Sequence, residues 1–366
     1  MQSWRACLRS RCDLGSRPSR GSGSLPSLGG IGRRPLSGPG WARCLAQTSM
    51  SSCVISAPDR DGEWDMTDIT VCLVLFDPNL PLLEQVVSSA RRSAIAAGVT
   101  AEFLFVENGR QSQDVLKVVS FDGARVLTNQ LNEGFARAMN WAVSEAKGRY
   151  CLLLNPDAIL DEQAVSELMH ALQQSHAALV CPLMRSEGTI QIDAMTLWSS
   201  STGRIMARNR KLRRLERAAR SDSAIRVEKV SGGVLLALTS HLRDLGPFDE
   251  RFFLYGEDAD LSIRAAARGF ALLAAPGAGV NHIGGESSAR HGRLVEAARQ
   301  DAALRLCAYH KPYLYSLAIR LEALFVTLLG MPFAGRSTSG SSRVRVARFP
   351  VIRQWGIHRD LERFSP

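Results

Sequence analysis

Tyr150-Cys151-Leu152-Leu153-Leu154 runs without a break into Asn155-Pro156-Asp157. A short continuous apolar run with turn signals at its end reads as a strand buried on both faces. Pro156 has no N–H to give a ladder, so pairing must stop there and Asp157 emerges at the strand's C-terminal edge. In open α/β sheets that edge is where ligands bind. Taken alone, an Asp in this place forms turns or caps helices more often than it binds anything. Its meaning depends on what the rest of the chain brings beside it.

The same unit recurs on both sides. Residues 70–76 are a buried strand by composition, ended by Asp77-Pro78-Asn79, and Pro81 opens a helix with Leu82, Leu83, Val86, Val87 and Ala90 at helical spacing. Residues 102–106 are a second strand ending in Glu107-Asn108, and 124–128 a third that leads to Asn132-Glu133-Gly134. From 134 to 147 one apolar stripe predicts a helix, closed by Gly148. After Asp157 follow a helix over 161–174, a strand over 178–182 and a strand over 230–238, with Gly232 and Gly233 where a backbone or ligand must approach closely. A helix opens near Glu257-Asp258 and stops at Gly269, residues 271–275 form the last good strand, and His282 comes soon after. This alternation predicts a parallel α/β sheet. Four polar sites then fall at strand ends: Glu107-Asn108, Asp157, Glu257-Asp258 and His282.

Composition bounds the remainder. The 366 residues carry a net charge of +10, spread unevenly: residues 1–50 hold eight arginines against the single acid Asp13. Residues 1–65 are rich in Ser, Gly, Pro and Arg without periodicity, and are expected not to fold. They resemble an organellar transit peptide, or, in the reading preferred here, an upstream leader to a natural start at Met66. The eight cysteines form no CxxC pair, and those in strand-like runs behave as small hydrophobes, which argues against a zinc site or disulfide framework. Residues 199–226 are polar and dense in arginine: a solvated helix face, or a basic arm for anionic lipid or a phosphate-bearing acceptor. No run of about twenty uncharged apolar residues predicts a spanning helix. Residues 313–333 are largely apolar but contain Arg320 and Glu322, which fits an amphipathic segment lying in a membrane interface or packed on the domain. The expected organisation is a leader at 1–65, a domain at 66–304, a helical extension at 305–335 and a basic tail at 336–366.

Five segments in series carry a resemblance: V-E-N (106–108), N-x-G-F-A-x-A-x-N (132–140), L-N-P-D-A (154–158), F-L-Y-G-E-D-x-D-L-x-x-R (253–264) and H-x-x-G-x-S (282–287). Together, over about residues 69–310, they resemble the family 2 glycosyltransferases, and within them the bacterial rhamnosyltransferase-like branch. The resemblance implies a GT-A fold, that is, a Rossmann-like, mixed and mainly parallel sheet flanked by helices. It also implies a nucleotide-sugar donor (dTDP- or UDP-linked), Mg²⁺ or Mn²⁺, and inversion at the sugar carbon.

Chemistry agrees at each position. Breaking a sugar–diphosphate bond needs the leaving charge neutralised, which a divalent cation does as a Lewis acid. Mg²⁺ often takes only one or two protein ligands beside phosphate oxygens and water, so Asp157 alone can serve, with His282 either a second metal ligand or a hydrogen-bond partner of the diphosphate. Asn155 occupies the first place of the family's D-x-D pattern. Inversion needs a base that takes the acceptor's proton during attack. Glu257 and Asp258 diverge by about 100° on a helix, so both cannot serve one proton. The family pattern makes Asp258 the base and Glu257 its support. The rival role for Asp258 is a helix cap, although a cap wants one acid and Glu-Asp-x-Asp offers three. By resemblance, Glu107 and Asn108 meet the nucleoside, while Asn132 and Gly134 lie where the loop approaches the nucleotide. Arg137 reaches for the diphosphate or is a solvated helix arginine.

The function expected is transfer of a sugar, rhamnose among the possibilities, to a cell-envelope glycan or polyprenyl-linked acceptor. The expected location is cytoplasmic, with peripheral contact to an anionic membrane and no nucleic-acid partner. Two other classes compete: a sugar-phosphate nucleotidyltransferase, and a catalytically inactive glycan-binding module. The first usually carries a Gly-rich basic loop after the first strand, where this chain has Phe76-Asp77-Pro78-Asn79.

Overall fold

The computed structural model describes residues 67–109, 112–174, 178–186, 188–197, 200–220, 223–284, 286–329 and 346–354. The expectations for the leader and most of the basic tail lie outside the described residues.

The first half alternates as expected: β1 (Ile69–Leu75), α1 (Leu80–Ala96), β2 (Ala101–Asn108), α2 (Gln113–Val119), β3 (Ala124–Asn129), α3 (Phe135–Glu145) and β4 (Tyr150–Leu154). There follow β5 (Ala158–Leu160), α4 (Ala164–Gln173), β6 (Ala178–Pro182), the short β7 (Arg185–Ser186) and β8 (Thr189–Ile190), α5 (Ser201–Ala218) and β9 (Ile225–Arg226). The chain continues through β10 (Val234–Leu238), α6 (Thr239–Leu245), α7 (Glu257–Ala267), β11 (Ala271–Ala275) and β12 (Val280–His282), and then α8 (Glu286–His310), α9 (Tyr313–Leu329) and α10 (Arg348–Arg353).

The main sheet has the order β3-β2-β1-β4-β10-β6-β11-β9. The pairs β3–β2, β2–β1, β1–β4 and β6–β11 are parallel, whereas β10 runs antiparallel to both neighbours. This is the mixed, mainly parallel α/β sheet of the GT-A expectation, with helices on both faces and a helical C-terminal region. Alternate residues feed two apolar layers. From β1, Ile69, Val71, Leu73 and Leu75 enter one with α1 and α4, while Cys72 and Val74 enter the other with α3 and α7. Burial on both faces explains why these strands read as unbroken apolar runs.

Two stretches differ from the sequence reading, and the arginine-rich one takes the helical of its two alternatives. β10 begins at Val234, because Ser231-Gly232-Gly233 forms a turn whose Gly233 carbonyl accepts the Asn155 N–H at 2.8 Å. The arginine-rich stretch is an 18-residue helix whose cap residue Ser200 accepts the Gly203 N–H. Arginine and lysine are good helix formers, so a polar run need not be irregular. A second sheet, β5-β12-β7-β8, was not foreseen, and its strands of two or three residues are too short to show periodicity.

Candidate functional site

The carboxyl edge of the main sheet opens into a cleft of about 280 Å³. Phe76 and Asp77 after β1, Asn108 at the end of β2, Asn132-Gly134 before α3 and Asn155-Pro156-Asp157 after β4 form its floor. Phe253–Tyr255 and, from α8, His291, Leu294, Val295 and Arg299 form its walls.

Asn108 organises that floor. It is 2% exposed; its Nδ2 donates to Asn132 Oδ1 (3.0 Å) and the Gly134 carbonyl (3.2 Å). Its Oδ1 accepts from Asn129 Nδ2 (2.9 Å) and the Glu133 N–H (3.1 Å). All its capacity is spent inside the protein, so it holds the 129–134 loop in place. Gly134 has φ +88°, and a Cβ there would lie 2.6 Å from the Phe253 carbonyl oxygen. That carbonyl accepts the Phe135 N–H at 2.7 Å, so the glycine lets the two walls of the cleft meet.

Asp157 and His282 are brought together by the second sheet. His282 sits opposite Ala158 in the β5–β12 ladder, and the Ile283 N–H donates to the Asp157 carbonyl at 3.1 Å. The side chains converge, with His282 Nε2 3.2 Å from Asp157 Oδ1. His282 Nδ1 lies 3.0 Å from Gln191 Oε1. Donation to that amide oxygen puts the imidazole proton on Nδ1 and leaves a lone pair on Nε2. Both facing atoms are buried and neither makes a well-aligned hydrogen bond. Two acceptors this close call for a cation or an added proton between them. Gln191 fixes the ring's orientation, as the outer partners of metal-binding histidines do elsewhere. Among the described residues no group of three or more His, Cys, Asp or Glu could hold a metal ion. Asp157 and His282 therefore fit a site completed by phosphate oxygens and water.

Glu257 and Asp258 open α7 after a left-handed turn, Tyr255 at φ +67° and Gly256 at φ +85°. They do not line the cleft; the Gly232-Gly233 turn stands between. A Cβ on Gly233 would touch Asn155 Nδ2 at 3.2 Å, and one on Gly232 would touch Asp258 Cβ at 3.3 Å. Asp258 Oδ2 accepts from Lys229 Nζ at 2.9 Å and from the Gly232 N–H at 3.3 Å. Oδ1 has no hydrogen-bond partner among the described residues. Asp258 is no helix cap: Gly256 occupies that place without a side-chain bond. Glu257 is 5% exposed, with Oε2 buried and unpartnered. Burial, and then the Asp258 charge, push its carboxyl up to about 8. Asp260 belongs to the framework, bonded to Arg264 Nε (2.7 Å) and His310 Nε2 (2.8 Å).

Two expected residues lie elsewhere. Glu107 is buried beside the floor, with Oε1 accepting the Ser112 N–H at 2.7 Å and Oε2 unpartnered. Arg137 does not reach the cleft; it is more than half exposed and pairs with Glu250 at 3.3 Å across a separate groove. Its guanidinium lies against Glu133 and Glu250 instead. Lys229 and Gln191 went unforeseen, since each enters from a segment with no pattern of its own.

Comparison with known proteins bears on this arrangement. Residues 70–226 match the model of Glycosyl transferase family 2, a stretch that ends before Glu257, Asp258 and His282. Two curated relatives, N-acetylglucosaminyl-diphospho-decaprenol L-rhamnosyltransferases of Mycobacterium tuberculosis strains CDC 1551 / Oshkosh and H37Rv, are each 27% identical over 277 residues. The alignment covers 70% of this chain and 86% of either relative. Among solved structures, GalNAc-T7 with UDP, GalNAc and Mn²⁺ aligns with a TM-score of 0.46 at 15% identity, over 59% of this chain and 43% of that one. S. aureus TarS 1-349 aligns with 0.44 at 13% identity, over 78% and 80%. The family match runs from the first strand of the sheet through Asn108, Asn132, Gly134, Asn155 and Asp157, the residues that make the cleft floor, so residues 70–226 carry a glycosyl transferase family 2 domain and mark the chain as a glycosyltransferase similar to curated rhamnosyltransferases.

Proposed function

We propose that the protein is an inverting, metal-dependent glycosyltransferase. It moves a sugar, with dTDP-rhamnose the first donor to try, onto a polyprenyl-linked glycan of the cell envelope at the cytoplasmic face of the membrane. The observation that carries this reading is the pair of facing, unpartnered acceptors, Asp157 Oδ1 and His282 Nε2, at the carboxyl edge of the sheet. The names of the curated relatives support the donor and acceptor class.

Asp157 and His282 would hold Mg²⁺ or Mn²⁺, which when bound neutralises charge on the departing diphosphate. Asn155 faces the Gly232-Gly233 turn that divides the cleft from Asp258. Asp258 takes the proton of the acceptor hydroxyl at Oδ1, the oxygen left open, as that hydroxyl attacks opposite the leaving group. Lys229 and the Gly232 N–H hold Oδ2, fixing the carboxylate's orientation. Glu257, protonated in its buried position, adds no second negative charge beside it.

Full-length protein with Mn²⁺ and a nucleotide-sugar panel tests the reading. Nucleoside diphosphate should be released, and faster with a polyprenyl-linked acceptor. Asp258→Asn should lower transfer by about 10²–10⁴-fold with donor affinity nearly unchanged. Asp157→Ala and His282→Ala should each weaken Mn²⁺ binding by about 10–100-fold, read by titration without substrate. Release of pyrophosphate from a nucleoside triphosphate and a sugar phosphate would make the enzyme a nucleotidyltransferase and overturn the proposal.

A further inference from the structure

One surface has no part in the cleft. α9 docks through Ile319 and Thr327, with Ala323 and Leu324 packed beside them. On its other side it exposes Leu314 (77%), Leu321 (57%), Phe325 (62%) and Leu328 (49%). At about 100° per residue these four fall within roughly 60° of arc, a single stripe turned away from the docked face. Helices on the surface of a globular protein present polar residues to water, and an exposed contiguous apolar patch marks an interaction site.

A cationic helix stands beside this stripe. Glu322, on the stripe's flank, accepts the Thr202 N–H at 2.8 Å and the Thr202 hydroxyl at 2.9 Å, which fixes the N-terminal end of α5 alongside α9. There α5 exposes Ile205 and Met206. Further along, Arg210, Arg213, Arg214 and Arg217 wall an open groove. Among the described residues no carboxylate pairs with Arg208, Arg210, Arg214 or Arg217, although exposed arginines elsewhere find acids, as Arg204 finds Asp193 and Arg137 finds Glu250.

We propose that α9 and the adjoining α5 form a docking surface for an anionic phospholipid bilayer. Apolar side chains enter the boundary between headgroups and acyl chains, and unpaired arginines meet lipid phosphates, the combination that holds peripheral helices at membranes. A second copy of this chain fits less well, because a twofold contact would set arginine ridges against each other. No helix of the described residues is long and apolar enough to cross a membrane, so this contact would be peripheral. The inference deepens the reading of a lipid-borne acceptor, but its test does not pass through transfer.

The full chain is floated with vesicles of phosphatidylcholine, alone or mixed with phosphatidylglycerol. Binding should favour the anionic vesicles by at least about tenfold and fall as salt rises. Leu321→Glu/Phe325→Glu should abolish it, and Arg210→Glu/Arg214→Glu should remove the preference for anionic lipid, both with unchanged circular dichroism. Should the first variant fail to fold, Leu314→Trp carries the test: its added emission should shift to the blue on anionic vesicles. Flotation that survives the α9 substitutions, no flotation at all, or an unmoved Leu314→Trp emission overturns the proposal. So does a wild-type dimer that Leu321→Glu/Phe325→Glu disperses, which would assign the stripe to a second copy.

Discussion

Glu257 carries its proton in a place where an ionised carboxylate would face both burial and the neighbouring Asp258. In the unfolded chain the same side chain titrates near 4.5, and in the folded chain near 8. Between those values the folded state binds a proton that the unfolded state has released, so stability falls as pH rises across that window and levels off above it. Glu257→Gln removes the titration while keeping the shape. Its unfolding free energy from urea titration should match the wild type near pH 5 and exceed it by about 2 kcal/mol near pH 9. Parallel curves at both pH values would show Glu257 ionised throughout, and with it the single-charge account of the Asp258 site would fail. At this scale the sequence told most where a side chain follows a strand. Asp157 was legible because β4 ends beside it, and His282 because it comes soon after the apolar run of β11. Lys229 and Gln191 were not, because each acts through a contact with a residue distant in sequence, Asp258 and His282 respectively.

Among the elements, the α3 entrance shows how little backbone freedom the cleft has. Gly134 combines φ +88° with a Phe253 carbonyl that any Cβ would strike, and the next residue's N–H bonds that same carbonyl. Gly134→Ala must therefore move the 253–255 wall or strain α3. We expect a loss of about 2 kcal/mol or more in stability, with nucleotide affinity weakened, measured by denaturation and by nucleoside diphosphate titration. Unchanged affinity would show that the 253–255 wall does not touch the nucleotide. The helices and strands of the first half were readable because two-sided burial gives unbroken apolar runs and one-sided burial gives helical stripes. α5 was harder. Its residues are mostly exposed, with Leu215 the one buried side chain among those described, so composition showed charge but not periodicity. β5 and β12, which deliver Asp157 and His282, are three residues each and leave no pattern at all.

Across the whole molecule, α8 ties the sheet domain to the C-terminal helices. Its first half lends His291, Leu294, Val295 and Arg299 to the cleft, and its last residue, His310, bonds Asp260 on α7. Asp260 also holds Arg264, whose guanidinium donates to the carbonyls of Leu245, Gly246 and Pro247. One buried carboxylate thus joins the start of α7, the turn after α6 and the end of α8. The sequence offered Asp260 as a third acid of the Glu-Asp-x-Asp cluster, and spacing alone could not separate it from Asp258. Their surroundings do: Asp260 is 3% exposed and bonded to both Arg264 and His310, whereas Asp258 keeps Oδ1 open. Replacing Asp260 by Ala leaves the partly buried Arg264 and His310 without their acid, at a cost of up to about 3 kcal/mol. The variant should unfold at correspondingly lower urea, yet bind Mn²⁺ as the wild type does at low temperature, since neither Asp157 nor His282 touches the pair. Asp258→Asn should show the reverse: stability changed little, transfer lost. An Asp260→Ala protein that is as stable as the wild type but inactive would exchange the two roles and return the proton acceptor to Asp260.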